Sequence, residues 1–281
     1  LCGQTRAGFI HTADPRATFE VSAEERYEFW EQLYASPGFG IWQGNFKDIG
    51  TDPEANKAMS DFLADKIRGR VNNPILAEKL TPKDHGFGTR RVPLETNYYE
   101  SYNQENVELI DISDTPIERV IQNGILTTDK EFEFDFIIYA TGFDAIFGSY
   151  NRIDIRGVNQ RRLKDQWEEE LATFLGFQTK GFPNLFMIMG PHAMQGNNPR
   201  NIEYNVEWIT DVIKYMNDRG LTRAEASSES QNDWHEYVLE QGKDLLMTQI
   251  DSWFTGINSN IEGRQTRITA MYRGSMQSFR N

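Results

Sequence analysis

The sequence is poor in the residues that build covalent or metal frameworks. Cys2 is its only cysteine, which excludes a disulfide framework and a cysteine-based metal site and fits a reducing compartment, the cytoplasm. The four histidines, His11, His85, His192 and His235, are far apart; none makes the i, i+4 pair of a helical zinc site, so no metal is expected. No apolar run approaches the roughly 20 residues that cross a bilayer, and no charged-then-apolar leader is present, so no membrane partner is expected. Basic residues are also in deficit, 29 Lys and Arg against 42 Asp and Glu, for a net charge of -13. That balance argues against a general nucleic-acid binder, which needs clustered cations. There is no Walker-type loop, no Ser-x-Gly elbow and no Cys/His pairing. The nearest thing to a dinucleotide loop, Gly38-Phe39-Gly40, has no strand before it and Gln43 at the third glycine position. It reads as a turn between helices.

What is present is globular material: 12% aromatic residues in 281, enough for one large domain or two ordinary ones. Residues 23–34 carry Tyr27, Trp30 and Tyr34 at helical spacing behind an acidic first turn. Thr51-Asp52-Pro53-Glu54 signals a second helix start, with Met59, Phe62, Leu63 and Ile67 as its apolar stripe. Asn72-Asn73-Pro74 stops it, and a shorter helix follows to Leu80. The period then changes to two. Residues 107–112 (VELIDI) read as a strand, and 116–121 with 125–128 as a hairpin turning on Asn123-Gly124. Phe132, Phe134 and Phe136 alternate into FIIYA, which reads as a central strand buried on both faces, as does NLFMIMG at 184–190. Helices are expected at 202–219, with Ile202, Val206, Ile209, Ile213 and Met216 on its apolar face, and at about 230–247. The junction at Ala140-Thr141-Gly142 is the best domain boundary.

Arg90 and Arg91, in GTRRVPLETNYYE, are the strongest chemical signal. They sit in a loop between helical and strand material, where functional groups are commonly mounted, and few acidic neighbours stand near them in sequence. A planar guanidinium that never loses its proton suits phosphate or an oxygen anion. Exposed surface charge is the competing reading.

GTRRVPLETNYYESYNQENVEL, then FIIYATGFDA, then FPNLFMIMGPHAMQGNNPRNIEYNVEWI, in that order, resemble the second half of type I Baeyer–Villiger monooxygenases. GFGIWQGNFKDIGTDPEAN and DSWFTGIN fit the same family, and the likeness covers nearly the whole chain. It implies an α/β fold of Rossmann-like type: part of a flavoprotein with two dinucleotide-binding domains and a helical insertion. Residues 1–140 would be the later part of the NADPH-binding domain, with the insertion at about 18–80. Residues 141–281 would be the C-terminal part of the FAD-binding domain. The cofactors implied are FAD and NADPH, and the reaction is oxidation of ketones to esters or lactones with O2 through a C4a-peroxyflavin. The glycine-rich fingerprints and the FxGxxxHxxxW signature are not in the chain, so its expected partner is the N-terminal half of the same enzyme.

On that resemblance Arg91 is the catalytic arginine beside flavin and nicotinamide. Arg90 stands where the family usually has lysine, facing the NADPH 2′-phosphate, with Thr89 beside it. Trp253 would pack over NADP. Thr141, Gly142 and Asp144 would lie in the linker near the cofactors, and Asn197 and Asn198 in a loop approaching the flavin. His192 and Met194 would line the substrate pocket. Two alternatives stand beside this reading: a flavin monooxygenase that oxygenates nitrogen or sulfur, and a truncated, non-catalytic binding module.

Overall fold

The structure is a computed structural model that describes residues 5–194, 196–258, 261, 264 and 266–280; Cys2 lies outside these. In chain order its main elements are α1 (Ala23–Ala35), α2 (Pro53–Arg70), α3 (Pro74–Leu80), β1 (Ile117–Ile121), β2 (Gly124–Thr127), β3 (Glu131–Glu133), α4 (Leu163–Glu169), α5 (Asn198–Asp218) and α6 (Ser228–Gly242). They form two compact units. The larger comprises Leu1–Lys57, Phe87–Val92 and Asp144–Asn281; the smaller comprises Ala58–Gly86 and Pro93–Phe143.

The helix starts follow from their caps. The Ser22 hydroxyl accepts from Glu25 N, and Asp52 Oδ1 accepts from Ala55 N at 2.8 Å. Asn73 caps α3, and Ser227 caps α6. Each satisfies a backbone donor that would otherwise be orphaned in the first turn. In the larger unit, α1 is held by Trp30, whose indole donates to Asn45 Oδ1 at 3.0 Å in the interior. One core gathers Phe147, Leu163, Trp167, Phe182, Met187 and Met271. A second joins Phe177, Val238, Tyr272 and Phe279, with Trp208 of α5 and Trp234 of α6 packed against it. Burying each such side chain contributes roughly 1.5–3 kcal/mol. In the smaller unit Ile67, Val71 and Ala77 form the core between α2 and α3. Arg70 there pairs with both Glu95 (2.7 Å) and Glu100 (2.6 Å), which holds both carboxyls below their ordinary range.

Several sequence expectations are corrected. Residues 107–112 form no strand, because no segment among the described residues pairs with them. The hairpin exists, but Ile121 pairs with Gly124, so the turn residues are Gln122 and Asn123. Gly124 is required for another reason: a Cβ there would lie 1.8 Å from the Phe132 carbonyl oxygen. The strand expected through FIIYA ends at Glu133. Beyond it Phe136, Ile138 and Phe143 are 89%, 91% and 92% exposed, and residues 135–143 make no backbone–backbone hydrogen bond among the described residues. NLFMIMG is not a strand either. Asn184 (φ 62°) and Met189 (φ 55°) are left-handed, which breaks the extended path, and its bonds are isolated ones such as Met187 N to Phe177 O.

Helix α5 reaches Asp218 as its periodicity suggests, but the burial is inverted. Ile202, Val206 and Ile213 are exposed, whereas Asn201 and Asn205 are buried. Those asparagines serve loop backbone: Asn205 Oδ1 accepts from Met189 N at 2.9 Å, and Asn201 Nδ2 donates to Met194 O. Helix α6 ends at Gly242, five residues before the expected Met247.

Candidate active site

The larger unit contains a cavity of about 530 Å³. Among the residues predicted from sequence, Thr89, Arg91, Met194, Asn198 and Trp253 lie on its wall. The loop that brings the arginines here is fixed by Gly88, at φ +70°, where a Cβ would sit 2.9 Å from Trp42 Nε1. Thr89 is buried next to it. The two arginines then diverge. Arg90 donates to the carbonyl oxygen of Asp251 at 3.2 Å, two residues before Trp253. Arg91 lies with its guanidinium carbon 4.7 Å from the Phe39 ring centre and 5.3 Å from that of Trp42. Its head is exposed and forms no ion pair among the described residues. Aromatic faces of this kind favour a cation and fix its orientation without neutralising it.

Trp253 opens a short turn, Trp253–Thr255, closed by reciprocal bonds between Ser252 and Thr255. Gly256 ends it at φ +73°, where a Cβ would collide with Ile268. The ring is 39% exposed and lies 4.1 Å, centre to centre, from that of Phe254. Asn197 caps α5 through its side-chain oxygen, and its Nδ2 donates to Gly8 O at 3.0 Å. It ties residues 5–8 to the cavity rim.

Asp144 pairs with Arg264 at 3.0 Å, and the two side chains are only 14% and 9% exposed. Arg264 also lies 3.5 Å from the Phe147 ring centre. Thr141 and Gly142 belong to the smaller unit, where both are exposed. Gly142 has φ +83° with open space around it, so the glycine answers to backbone conformation and not to crowding.

His192, expected to line the substrate pocket, is instead fully buried and is not on the cavity wall, which Met194 reaches. Its Nε2 donates to Thr269 O at 2.8 Å, its Nδ1 has no partner, and the His235 ring lies 5.3 Å away. Burial drives its pKa down from 6.5 to about 4. The unfolded chain therefore binds this proton first. The native state keeps its full margin above pH 6.5 and loses about 3 kcal/mol as pH falls through that window to 4. Thermal melts of the complete protein across this range test it. His192→Gln, which can still donate to Thr269 O but cannot charge, should show a flatter decline.

Sequence reading missed the rest of the wall: Arg6, Lys47, Arg273, Trp42, Phe254 and Tyr272. Trp42 and Lys47 lie in GFGIWQGNFKDIGTDPEAN and Phe254 in DSWFTGIN, without a role having been read for them. Arg6, Tyr272 and Arg273 lie in none of the quoted stretches, and only the folded chain collects them. Among the described residues that wall the cavity none is Asp or Glu, so every charged group on it is a cation, in a chain of net charge -13.

No family model matches the chain. It is 43% identical over 280 residues to 2-oxo-Delta(3)-4,5,5-trimethylcyclopentenylacetyl-CoA monooxygenase of Pseudomonas putida, covering 98% of this chain and 51% of that protein. It is 39% identical over 267 residues to cyclopentanone 1,2-monooxygenase of a Comamonas species, covering 94% and 48%. The fold matches the crystal structure of OTEMO complexed with FAD and NADP at a TM-score of 0.92 and 42% identity, over 99% of this chain and 51% of that one. The fold is thus a portion of a monooxygenase of the flavoprotein class. Within that class the chain belongs to the Baeyer–Villiger monooxygenases, and it spans about half the length of the curated relatives it matches.

Proposed function

We propose that the chain is the C-terminal portion of an FAD- and NADPH-dependent enzyme that oxidises ketones to esters or lactones with O2. The cavity carries this reading. Its walls are aromatic and cationic with no carboxylate among the described residues, which suits flat, polyanionic dinucleotides. Bound there, the two cofactors supply hydride and flavin-based oxygen chemistry. Arg90 would hold the 2′-phosphate, with Thr89 beside it, and Trp253 would cover the nicotinamide cofactor. Thr141, Gly142, Asp144, Asn197 and Asn198 would shape the surroundings of both. Arg91 stabilises negative charge on oxygen as it develops, the electrostatic role of a cation already in place before reaction. Met194 bounds the ketone, and His192 supports it from within the core.

In this reading residues 1–140 serve NADPH and residues 141–281 serve FAD, a division by cofactor that differs from the division by packing. The missing portion is the N-terminal half of the same enzyme, working in the cytoplasm. Two exposed apolar features support a need for it: the run at 136–143 and the Ile202, Val206, Ile213 face of α5. Neither is explained by packing within its own unit. The test is product analysis. The complete protein, supplied with NADPH and labelled O2, should purify yellow and insert one labelled oxygen into cyclopentanone to give the lactone. A colourless protein, or one that oxygenates only sulfides and amines, overturns the proposal.

A further inference from the structure

Arg273 has no place in the roles above, yet it is the most enclosed cation of the cavity. Among the described residues it meets no carboxylate. Its guanidinium carbon lies 4.6 Å from the Phe254 ring centre. Arg6 reaches over to donate to the Arg273 carbonyl oxygen at 2.9 Å, which brings a second cation to the same spot. Burial, reinforced by Arg6, pulls the Arg273 pKa down to about 10. The group keeps its proton at neutral pH but lacks the counter-charge that would offset its desolvation. Its backbone is pinned: Tyr272 is buried and bridges to Met194, and a Cβ on Gly274 would collide with the Tyr272 hydroxyl.

The surroundings narrow what that counter-charge is attached to. Arg273 also walls a smaller hollow of about 100 Å³ with the apolar Met247, Phe254, Ile268 and Met271, whose remaining wall includes threonines and Arg267, itself paired with Asp251 at 2.6 Å. A hydrocarbon skeleton and an anion are therefore accommodated side by side. Of the other cations on the wall, Lys47 already faces Glu20 at 3.9 Å. A dinucleotide phosphate would find no use for the thioether and aliphatic wall, whereas an acidic ketone would use both.

We propose that Arg273, assisted by Arg6, is a specificity residue that makes this site take ketones carrying a negatively charged group, a carboxylate or the phosphates of a nucleotide thioester. The proposal rests on the ketone-oxidising function above. A charge-assisted contact of this kind is worth about tenfold or more in kcat/KM.

The experiment uses the complete protein with 2-oxocyclopentylacetate, its methyl ester, its coenzyme A thioester and unsubstituted cyclopentanone. Wild type should prefer the carboxylate or the thioester to the methyl ester by about tenfold, and which of the two it prefers identifies the anion. Arg273→Leu should bring charged and neutral ketones within about twofold of one another, chiefly by raising the KM of the charged ones. Arg273→Lys should retain part of the preference. Calorimetric titration of wild type and variant with the carboxylate, without NADPH, reads binding independently of turnover, and melting temperatures exclude a folding defect. Equal use of charged and neutral ketones by wild type overturns the proposal. So does an Arg273→Leu variant whose defect lies in the KM for NADPH. Absence of lactone from every ketone would instead sink the underlying function, a separate outcome.

Discussion

Replacing Arg91 with alanine in the complete protein should lower lactone formation by about a thousandfold while the protein stays folded. The folding half of that expectation comes from its surroundings. The side chain is exposed, has no ion pair among the described residues, and lies over the Phe39 and Trp42 rings. Losing such a contact costs only about 0.5–1 kcal/mol at an exposed site. The chemical half follows from what the cation is free to do. A guanidinium with no carboxylate partner offers its whole field to an oxygen that gains charge during reaction, and removing one preorganised donor of this type costs about a hundred- to a thousandfold in rate. Arg91→Lys keeps the charge but loses the planar stack and the fork, so it should fall between the two. Rates at saturating ketone and NADPH, with circular dichroism of each variant, provide the measurement. A folded Arg91→Ala enzyme within tenfold of wild type would remove Arg91 from the chemistry.

Asp144→Ala should produce the largest loss of stability, about 3–5 kcal/mol, because it leaves Arg264 charged and enclosed with no partner. The pair is close at 3.0 Å, and both side chains are nearly buried. The Phe147 face beneath Arg264 cannot replace a carboxylate. Asp144→Leu combined with Arg264→Met should lose less than Asp144→Ala alone, since no charge is then stranded. Urea titration monitored by tryptophan fluorescence distinguishes these outcomes. If the single and double variants lose the same amount, the pair is not coupled. The resemblance places Asp144 near the cofactors; this test asks about a contribution that exists before any cofactor arrives.

The helices were legible because their signals are local. Asp52 followed by Pro53 marked the start of α2 and apolar spacing located the other long helices, whereas Ser22, Asn73 and Ser227 emerge as caps only in the structure. The buried strands were not, because a strand is defined by a neighbour and periodicity does not say whether one is present. FIIYA and NLFMIMG have the composition of sheet interior, and neither has a partner among the described residues. The α5 error is of the same kind. An apolar stripe says that a face is to be covered, and it does not say by what, so the buried asparagines on the opposite side were invisible. In the site, Arg90 and Arg91 stood out through their adjacency and their place in a loop, while the positive φ of Gly88 that fixes that loop is seen only in the structure. Arg6 and Arg273 lie 267 residues apart and meet only through tertiary structure.

The bare segment after Glu133 also sets a clock. Its amides and carbonyls, spaced along side chains that water disfavours, are a template for any extended strand that reaches them, and a second copy of the same chain is as good a match as the proper companion. Asp135 is the only charged residue between Phe134 and Phe143, so like-charge repulsion offers little protection. If the proposed N-terminal half is the companion, assembly is a race in which concentration favours the wrong product and physical linkage to that half favours the right one.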